Sequence, residues 1–92
     1  MPEARVVRQL MVRNSHGLHA RTAAVLVKAA NRFESEIQIE KEGSAVNAKS
    51  IMGVLMLAAA QGTVLTVTAE GPDAAEAMTV LSALFEAGFD ES

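Results

Sequence analysis

The twelve residues Glu36-Ile37-Gln38-Ile39-Glu40-Lys41-Glu42-Gly43-Ser44-Ala45-Val46-Asn47 decide how this chain is built. Apolar and polar residues alternate cleanly from Glu36 to Glu40, Lys41 to Ser44 has turn chemistry, and Ala45 to Asn47 reads as a short return strand. The pattern predicts a β-hairpin, and a hairpin commits the sheet to antiparallel pairing. Downstream, Thr63 to Glu70 alternates again, with Leu65, Val67 and Ala69 facing one way and Thr66, Thr68 and Glu70 the other. That is a half-exposed strand. Upstream, Arg5 to Arg13 alternates imperfectly, with Val6, Leu10 and Val12 on one face and Val7 and Met11 on the other, so a strand with substantial burial is expected.

Between these strands the period changes to that of a helix. From His19 to Arg32 the residues Ala20, Ala23, Ala24, Val27 and Ala30 fall at helical spacing opposite Lys28 and Arg32, and alanine carries strong intrinsic helix propensity. Ser50 to Ala60 is apolar nearly all round, with Ser50 placed as an N-cap and Gly62 as a stop signal, and predicts a short, mostly buried helix. After Gly71-Pro72-Asp73, the residues Ala77, Met78, Leu81, Leu84 and Phe85 repeat at three and four until Gly88, beyond which the chain is acidic. The order βαββαβα gives an α+β two-layer sandwich, one antiparallel sheet with helices on one face.

A chain of 92 residues holds one core, so residues 1–92 are read as a single domain. Aromatic residues make up only 3%, so that core is aliphatic. Cysteine is absent, which excludes disulfides, thiolate metal sites and thiol nucleophiles and fits a reducing compartment. No apolar run reaches a membrane span, no leader pattern opens the sequence, and a cytoplasmic location is expected. The formal charge of -3 conceals an asymmetry. Up to Arg32 there are six Lys and Arg against one acid, whereas from Phe33 onward two Lys face ten acids. The split is compatible with a basic surface for an anionic ligand or acidic partner, and equally with solvated charges on unrelated faces. Nucleic-acid binding is disfavoured in a domain acidic overall and poor in stacking residues.

Both histidines, His16 and His19, lie at the first strand-to-helix junction, in Asn14-Ser15-His16-Gly17-Leu18-His19-Ala20-Arg21-Thr22. Gly17 allows a tight turn, His19 sits at the helix entrance, and Arg21 falls within the first turn. Unpaired N–H groups and the positive dipole end make such a junction an anion site. An imidazole there beside a guanidinium is a nucleophile next to a phosphate cradle, and the surrounding positive potential keeps a ring lone pair available. Phosphoryl transfer needs positioning and charge stabilisation, and the pattern supplies both. Two other readings remain open: His19 as a polar cap residue only, and metal binding by His16 and His19. The second is disfavoured because Gly17 interrupts the pair and no acidic residue or Cys lies nearby in sequence.

Gly17-Leu18-His19-Ala20-Arg21-Thr22, the following Ala23-Ala24-Val25-Leu26-Val27-Lys28-Ala29-Ala30, the segment Asn47 to Leu57 and Thr63 to Gly71 together resemble the HPr family, the histidine-containing phosphocarriers of the bacterial phosphoenolpyruvate:sugar phosphotransferase system. The resemblance spans about residues 5 to 88. It implies an open-faced sandwich of three helices over a four-stranded antiparallel sheet, in agreement with the order read above. It also implies that His19 is phosphorylated on Nδ1 by Enzyme I and passes the group to a IIA domain, with Arg21 contacting the phosphate. Such a protein is a substrate of phosphotransferases more than an enzyme in its own right, acts as a monomer, and needs no cofactor or metal.

The chain departs from the family pattern at Thr22, where Pro is usual. The first helical turn thereby gains an N–H and a hydroxyl, and the expected phosphate contacts are Ala20, Arg21 and Thr22. His16 stands where a small polar residue is common and is expected to face solvent. Ser50 is a helix cap on its own evidence. Lys49-Ser50-Ile51-Met52-Gly53 is also like the family version phosphorylated by HPr kinase/phosphorylase, which implies a regulatory site. At least one of Ile51 and Met52 should be exposed, and the resemblance makes them a docking surface for Enzyme I and IIA domains, with Arg21, Lys28 and Lys49 as docking or rim charges. The alternatives are a nitrogen-related regulatory paralogue of the carrier and a non-catalytic regulatory binding module.

Overall fold

In the computed structural model, which describes residues 4–91, alternation and helical spacing resolve into the expected order. Strand β1 spans Ala4–Met11, helix α1 Ala20–Ala30, β2 Glu36–Lys41, β3 Ser44–Asn47, α2 Ile51–Met56, β4 Val64–Gly71 and α3 Ala74–Glu86. All neighbours in the sheet are antiparallel, in the order β1-β4-β2-β3. The hairpin turns on two residues, Glu42 and Gly43, with φ of 49° and 87°, the doubly left-handed turn that matches strand twist. Its register sets Ile39 opposite Val46 and Val67.

One face of this sheet carries the core. Ile37, Ile39, Leu65, Val67 and Ala69 are fully buried under Leu26 and Ala30 of α1, Val54 of α2, and Ala77, Leu81 and Phe85 of α3. Small residues on α1 let its backbone sit close to the layer below. Among the described residues nothing forms a second layer on the opposite face of the sheet, and this corrects the expected burial of the first strand. Val7 and Met11 are 39% and 40% exposed, because they point from the edge strand away from the helices.

The second helix is also shorter and more open than expected. It ends at Met56, Ala58 adopts a left-handed φ of 50°, and Lys41 Nζ caps the end by donating to the carbonyls of Leu57 and Ala58. Among its residues only Val54 is buried, while Ile51, Met52 and Met56 face solvent. A helix of one and a half turns lying across the layer edge has only one side to bury. Leu57 and Ala59 reach the core after the helix has ended.

Asp73 stands at the head of α3 yet does not cap it with its side chain. Its carboxylate instead accepts from the hydroxyl and backbone N–H of Ser35 and from the backbone N–H of Glu34, clasping the α1–β2 connection to the β4–α3 corner. The Ser35 hydroxyl, followed by the Glu34 amide, holds the Asp73 carboxyl below its ordinary range. Gly71 makes the approach feasible, since a Cβ there would fall within 2.6 to 2.9 Å of Ser35 atoms.

A carboxyl with a depressed folded-state pKa contributes stability that is present above its ordinary range and lost as pH falls below about 4. Asp73→Asn should therefore unfold at lower urea than the parent at pH 7, and the gap in midpoints should narrow at pH 3. Equal gaps at both pH values would remove the Asp73 anion from the stability of the fold. Gly71→Ala should lose roughly 1–3 kcal/mol by overpacking against Ser35, read from the same urea curves.

Candidate active site

The loop from Val12 to His19 is pinned from the far side by the chain leaving α2. Leu18 N–H donates to the Ala59 carbonyl at 2.9 Å, Gly62 N–H donates to the Val12 carbonyl, and Leu18 is buried. Gly17, with φ of 68°, passes so close to the Ala59 carbonyl that a Cβ would collide with that oxygen. Glycine is required at that position by both its dihedral and its neighbour. His19 follows in an extended conformation as the N-cap of α1, and its side chain is 37% exposed.

The protons of the His19 ring are assigned by its partners. Arg21 backbone N–H donates to Nδ1 at 3.3 Å, so Nδ1 presents its lone pair to the head of the helix. Nε2 lies 3.1 and 3.0 Å from the two carboxylate oxygens of Glu91 and carries the ring hydrogen towards them. Arg21, whose side chain is 78% exposed, places Nη1 at 3.5 Å from Glu91 Oε2. The His19 hydrogen bond, with lesser help from Asn14 and the Arg21 guanidinium, holds the Glu91 carboxyl below its ordinary value against the opposing effect of desolvation. His16, Asp90 and these three residues line one open hollow.

Thr22 behaves differently from the expectation that its hydroxyl would serve a phosphate. The residue is buried, its hydroxyl donates to the Gly17 carbonyl at 2.8 Å, and the same oxygen accepts from His19 N–H at 3.1 Å. It locks the loop onto the first helical turn. Ala20 is exposed beside it. His16 is exposed as expected, and its ring also meets the His19 ring edge-on, with centroids 5.9 Å apart.

The remaining candidates lie away from the ring. Ser50 Oγ accepts from Gly53 N–H at 3.1 Å, the N-cap bond of α2, and Ile51 and Met52 beside it are 41% and 64% exposed. Lys49 is half-buried and donates to the Phe33 carbonyl at 2.6 Å, so its charge ties two connections together instead of standing free at a rim. Lys28 is exposed, roughly 13 Å along α1 from His19 at 1.5 Å per residue. Among the described residues no cluster of three or more His, Cys, Asp or Glu is arranged to hold a metal.

With this geometry in place, relatives become informative. A family model described as the PTS HPr component phosphorylation site matches residues 6–87. The chain belongs to the HPr family of phosphocarriers. It is 51% identical over 83 residues to the phosphocarrier protein HPr of Xylella fastidiosa, covering 90% of this chain and 93% of that one. It is 52% identical over 81 residues to the HPr-like protein Crh of Halalkalibacterium halodurans, covering 88% and 96%. Among solved structures, HPr-C-His of Thermoanaerobacter tengcongensis superposes with a TM-score of 0.91 at 44% identity, covering 95% and 98%. An HPr dimer from the same organism superposes with a TM-score of 0.75 at 47% identity, covering 85% and 90%. Membership of the HPr family carries with it a phosphocarrier role in the phosphotransferase system, and no helix among the described residues is long and apolar enough to cross a membrane.

Sequence reasoning missed Glu91 and Asn14. Asn14 is buried and donates from Nδ2 both to the Gly17 carbonyl at 2.8 Å and to Glu91 Oε1 at 3.0 Å. The one available signal was Phe89, an aromatic residue in an otherwise polar terminal run of a chain with three Phe. Phe89 is buried against Phe85, with ring centroids 5.0 Å apart, and this anchor returns the chain to His19.

Thr22→Val keeps the shape of the side chain and removes its hydroxyl, leaving His19 N–H without that acceptor. A loss of roughly 1–3 kcal/mol is expected by thermal or urea unfolding. A parent-like stability would show that the loop is held by the Ala59 and Asn14 bonds alone.

Proposed function

We propose that this chain accepts a phosphoryl group from phosphorylated Enzyme I on Nδ1 of His19 and delivers it to IIA domains in phosphoenolpyruvate-dependent sugar uptake, working as a cytoplasmic monomer. The observation that carries the reading is the Nδ1 lone pair at the head of α1 beside the exposed Arg21. In the transfer, that lone pair forms the new N–P bond while the donor's bond to phosphorus breaks and its electron pair returns to the donor. Arg21 N–H, which bonds Nδ1 at rest, is then free for a phosphoryl oxygen. The Arg21 guanidinium, long at 3.5 Å from Glu91, can turn to the same group. Thr22 contributes its backbone and a rigid first turn, and Ala20 leaves the approach open.

Ser50 is the second site of the proposal. Phosphate there adds about -1.5 to -2 charge beside Ile51 and Met52, the exposed apolar pair through which Enzyme I and IIA domains would dock. The added anion and its hydration oppose that association, so an HPr kinase/phosphorylase acting on Ser50 would slow the carrier. Arg21 and Lys28 supply exposed positive charge for acidic partners, with Lys49 contributing less because its Nζ is engaged.

Incubation with phosphoenolpyruvate and a bacterial Enzyme I should add one acid-labile phosphoryl group by mass spectrometry, and His19→Ala should abolish it. Retained labelling of His19→Ala would overturn the assignment. Arg21→Ala should slow acceptance on the order of 10²-fold with an unchanged melting temperature. Ser50→Asp should keep the fold and slow acceptance most visibly at low salt, whereas Ser50→Ala should lose about 0.5–2 kcal/mol and leave transfer nearly intact. Sedimentation at micromolar concentration should give one species of monomer mass; a dimer such as that of the Thermoanaerobacter tengcongensis protein would replace that part of the proposal.

A further inference from the structure

We propose that Glu91, held in place by Asn14, is a positioning residue for the accepting ring: its carboxylate takes the Nε2 hydrogen of His19 and so commits the lone pair to Nδ1. The inference rests on the carrier reading above and adds to it a side chain that, together with the Arg21 N–H on Nδ1, fixes which ring nitrogen reacts.

Three features distinguish this contact from a surface ion pair between two mobile side chains. Both Glu91 oxygens lie within 3.1 Å of Nε2, and the Glu91 side chain is only 11% exposed. Behind it, Asn14 is 1% exposed with both amide hydrogens in use. Its two partners, a carbonyl and a carboxylate, are both acceptors, so the amide has only one workable orientation. That orientation leaves Asn14 Oδ1 buried with no hydrogen-bond partner among the described residues, an unfavourable arrangement. The backbone leading to the carboxylate is unusual as well. Phe89 and Asp90, neither of them glycine, adopt left-handed φ of 56° and 60°, and the turn they form sets Phe89 in the core while returning Glu91 to the ring. Strain of this kind persists where surrounding structure enforces it.

The chemistry explains why an orienting carboxylate matters. A neutral imidazole has its hydrogen on one nitrogen or the other, and only the Nε2–H form offers Nδ1 to phosphorus. When the N–P bond forms, the donor keeps the electron pair of its broken bond, Nε2 keeps its hydrogen, and the ring acquires a positive charge. The Glu91 carboxylate faces that charge at 3.0 Å. The other charged or titratable groups around the hollow are Arg21, His16 and Asp90. Arg21 is drawn towards the phosphoryl oxygens, and His16 touches the ring edge-on without a hydrogen bond to it.

The test begins on unphosphorylated protein, by long-range proton–nitrogen NMR of the His19 ring at alkaline pH, where imidazoles are neutral. The parent should show one dominant Nε2–H tautomer, and Glu91→Ala should raise the Nδ1–H population several-fold. Acceptance from Enzyme I by Glu91→Ala should fall ten- to a hundredfold in kcat, the range for removal of the outer partner of an oriented imidazole, with KM for the carrier unchanged because the α2 surface is untouched. Glu91→Gln retains an acceptor without the charge and should fall between. Asn14→Ala should shift the tautomers in the same direction by less. An unchanged tautomer ratio in Glu91→Ala, or an unchanged kcat, overturns the proposal. Failure of Enzyme I to label the parent would overturn the carrier reading instead, since the NMR readout does not depend on it.

Discussion

No side chain fits between the backbone at position 17 and the carbonyl of Ala59, and the rest of the site depends on that closeness. The contact brings the loop after β1 against the segment after α2, and the Leu18 N–H bond to the same carbonyl fixes the distance. His19 can then only enter α1 as its N-cap, in an extended conformation whose side chain turns back over the first turn. A Cβ at position 17 would push the loop outward and carry the ring with it, because Thr22 hydroxyl and Asn14 amide both hold the Gly17 carbonyl. The ring is thus located by one backbone and two side-chain bonds to the loop that carries it. This suits an activity that consists of placing one nitrogen correctly.

The helix layer meets two different demands. Beneath it, aliphatic residues from the sheet and α3 are buried to the last percent, so the platform under the ring is rigid. At its edge, α2 is too short to bury more than one of its residues and leaves Ile51, Met52 and Met56 in solvent. Exposure of three large apolar side chains in six residues is unfavourable for an isolated domain. Under the proposed carrier function a partner would cover them during transfer, and a phosphate on Ser50, the N-cap of the same helix, would lie beside that surface.

Legibility in the sequence followed the range of the interactions. The hairpin, the half-exposed β4 and the three helices were readable because alternation and three-four spacing are local consequences of burial on one face. The His19–Arg21 pair was readable because a helix entrance has a local signature. The exposure of Val7 and Met11 was not, since an edge strand and a central strand share one pattern and only the pairing order separates them. Nor was the truncation of α2, where the apolar run continues past Met56 but the backbone leaves the helix at Ala58 to reach the site loop. Glu91 joins Asn14 and His19 across 77 and 72 residues, and a run without periodicity carries no trace of such a contact.

Thr22 shows how a locally unfavourable choice can be matched by tertiary structure. Proline at that position would fix φ in the first helical turn without help from any neighbour. Threonine lacks that restraint, yet its buried hydroxyl bonds both Gly17 and His19, binding the turn to the loop that precedes it. The two solutions constrain different things. Proline stiffens the helix start alone, whereas the threonine bonds couple the helix start to the ring's own backbone, so displacement of one moves the other. A carrier must accept and release the same group, and binding that is too strong in the loaded state would slow release. In the proposed transfer the binding groups would be one exposed guanidinium and the amides of a helix head, with the loop behind them held by Thr22, Gly17 and Leu18. Tight positioning and loose holding are thereby assigned to different residues.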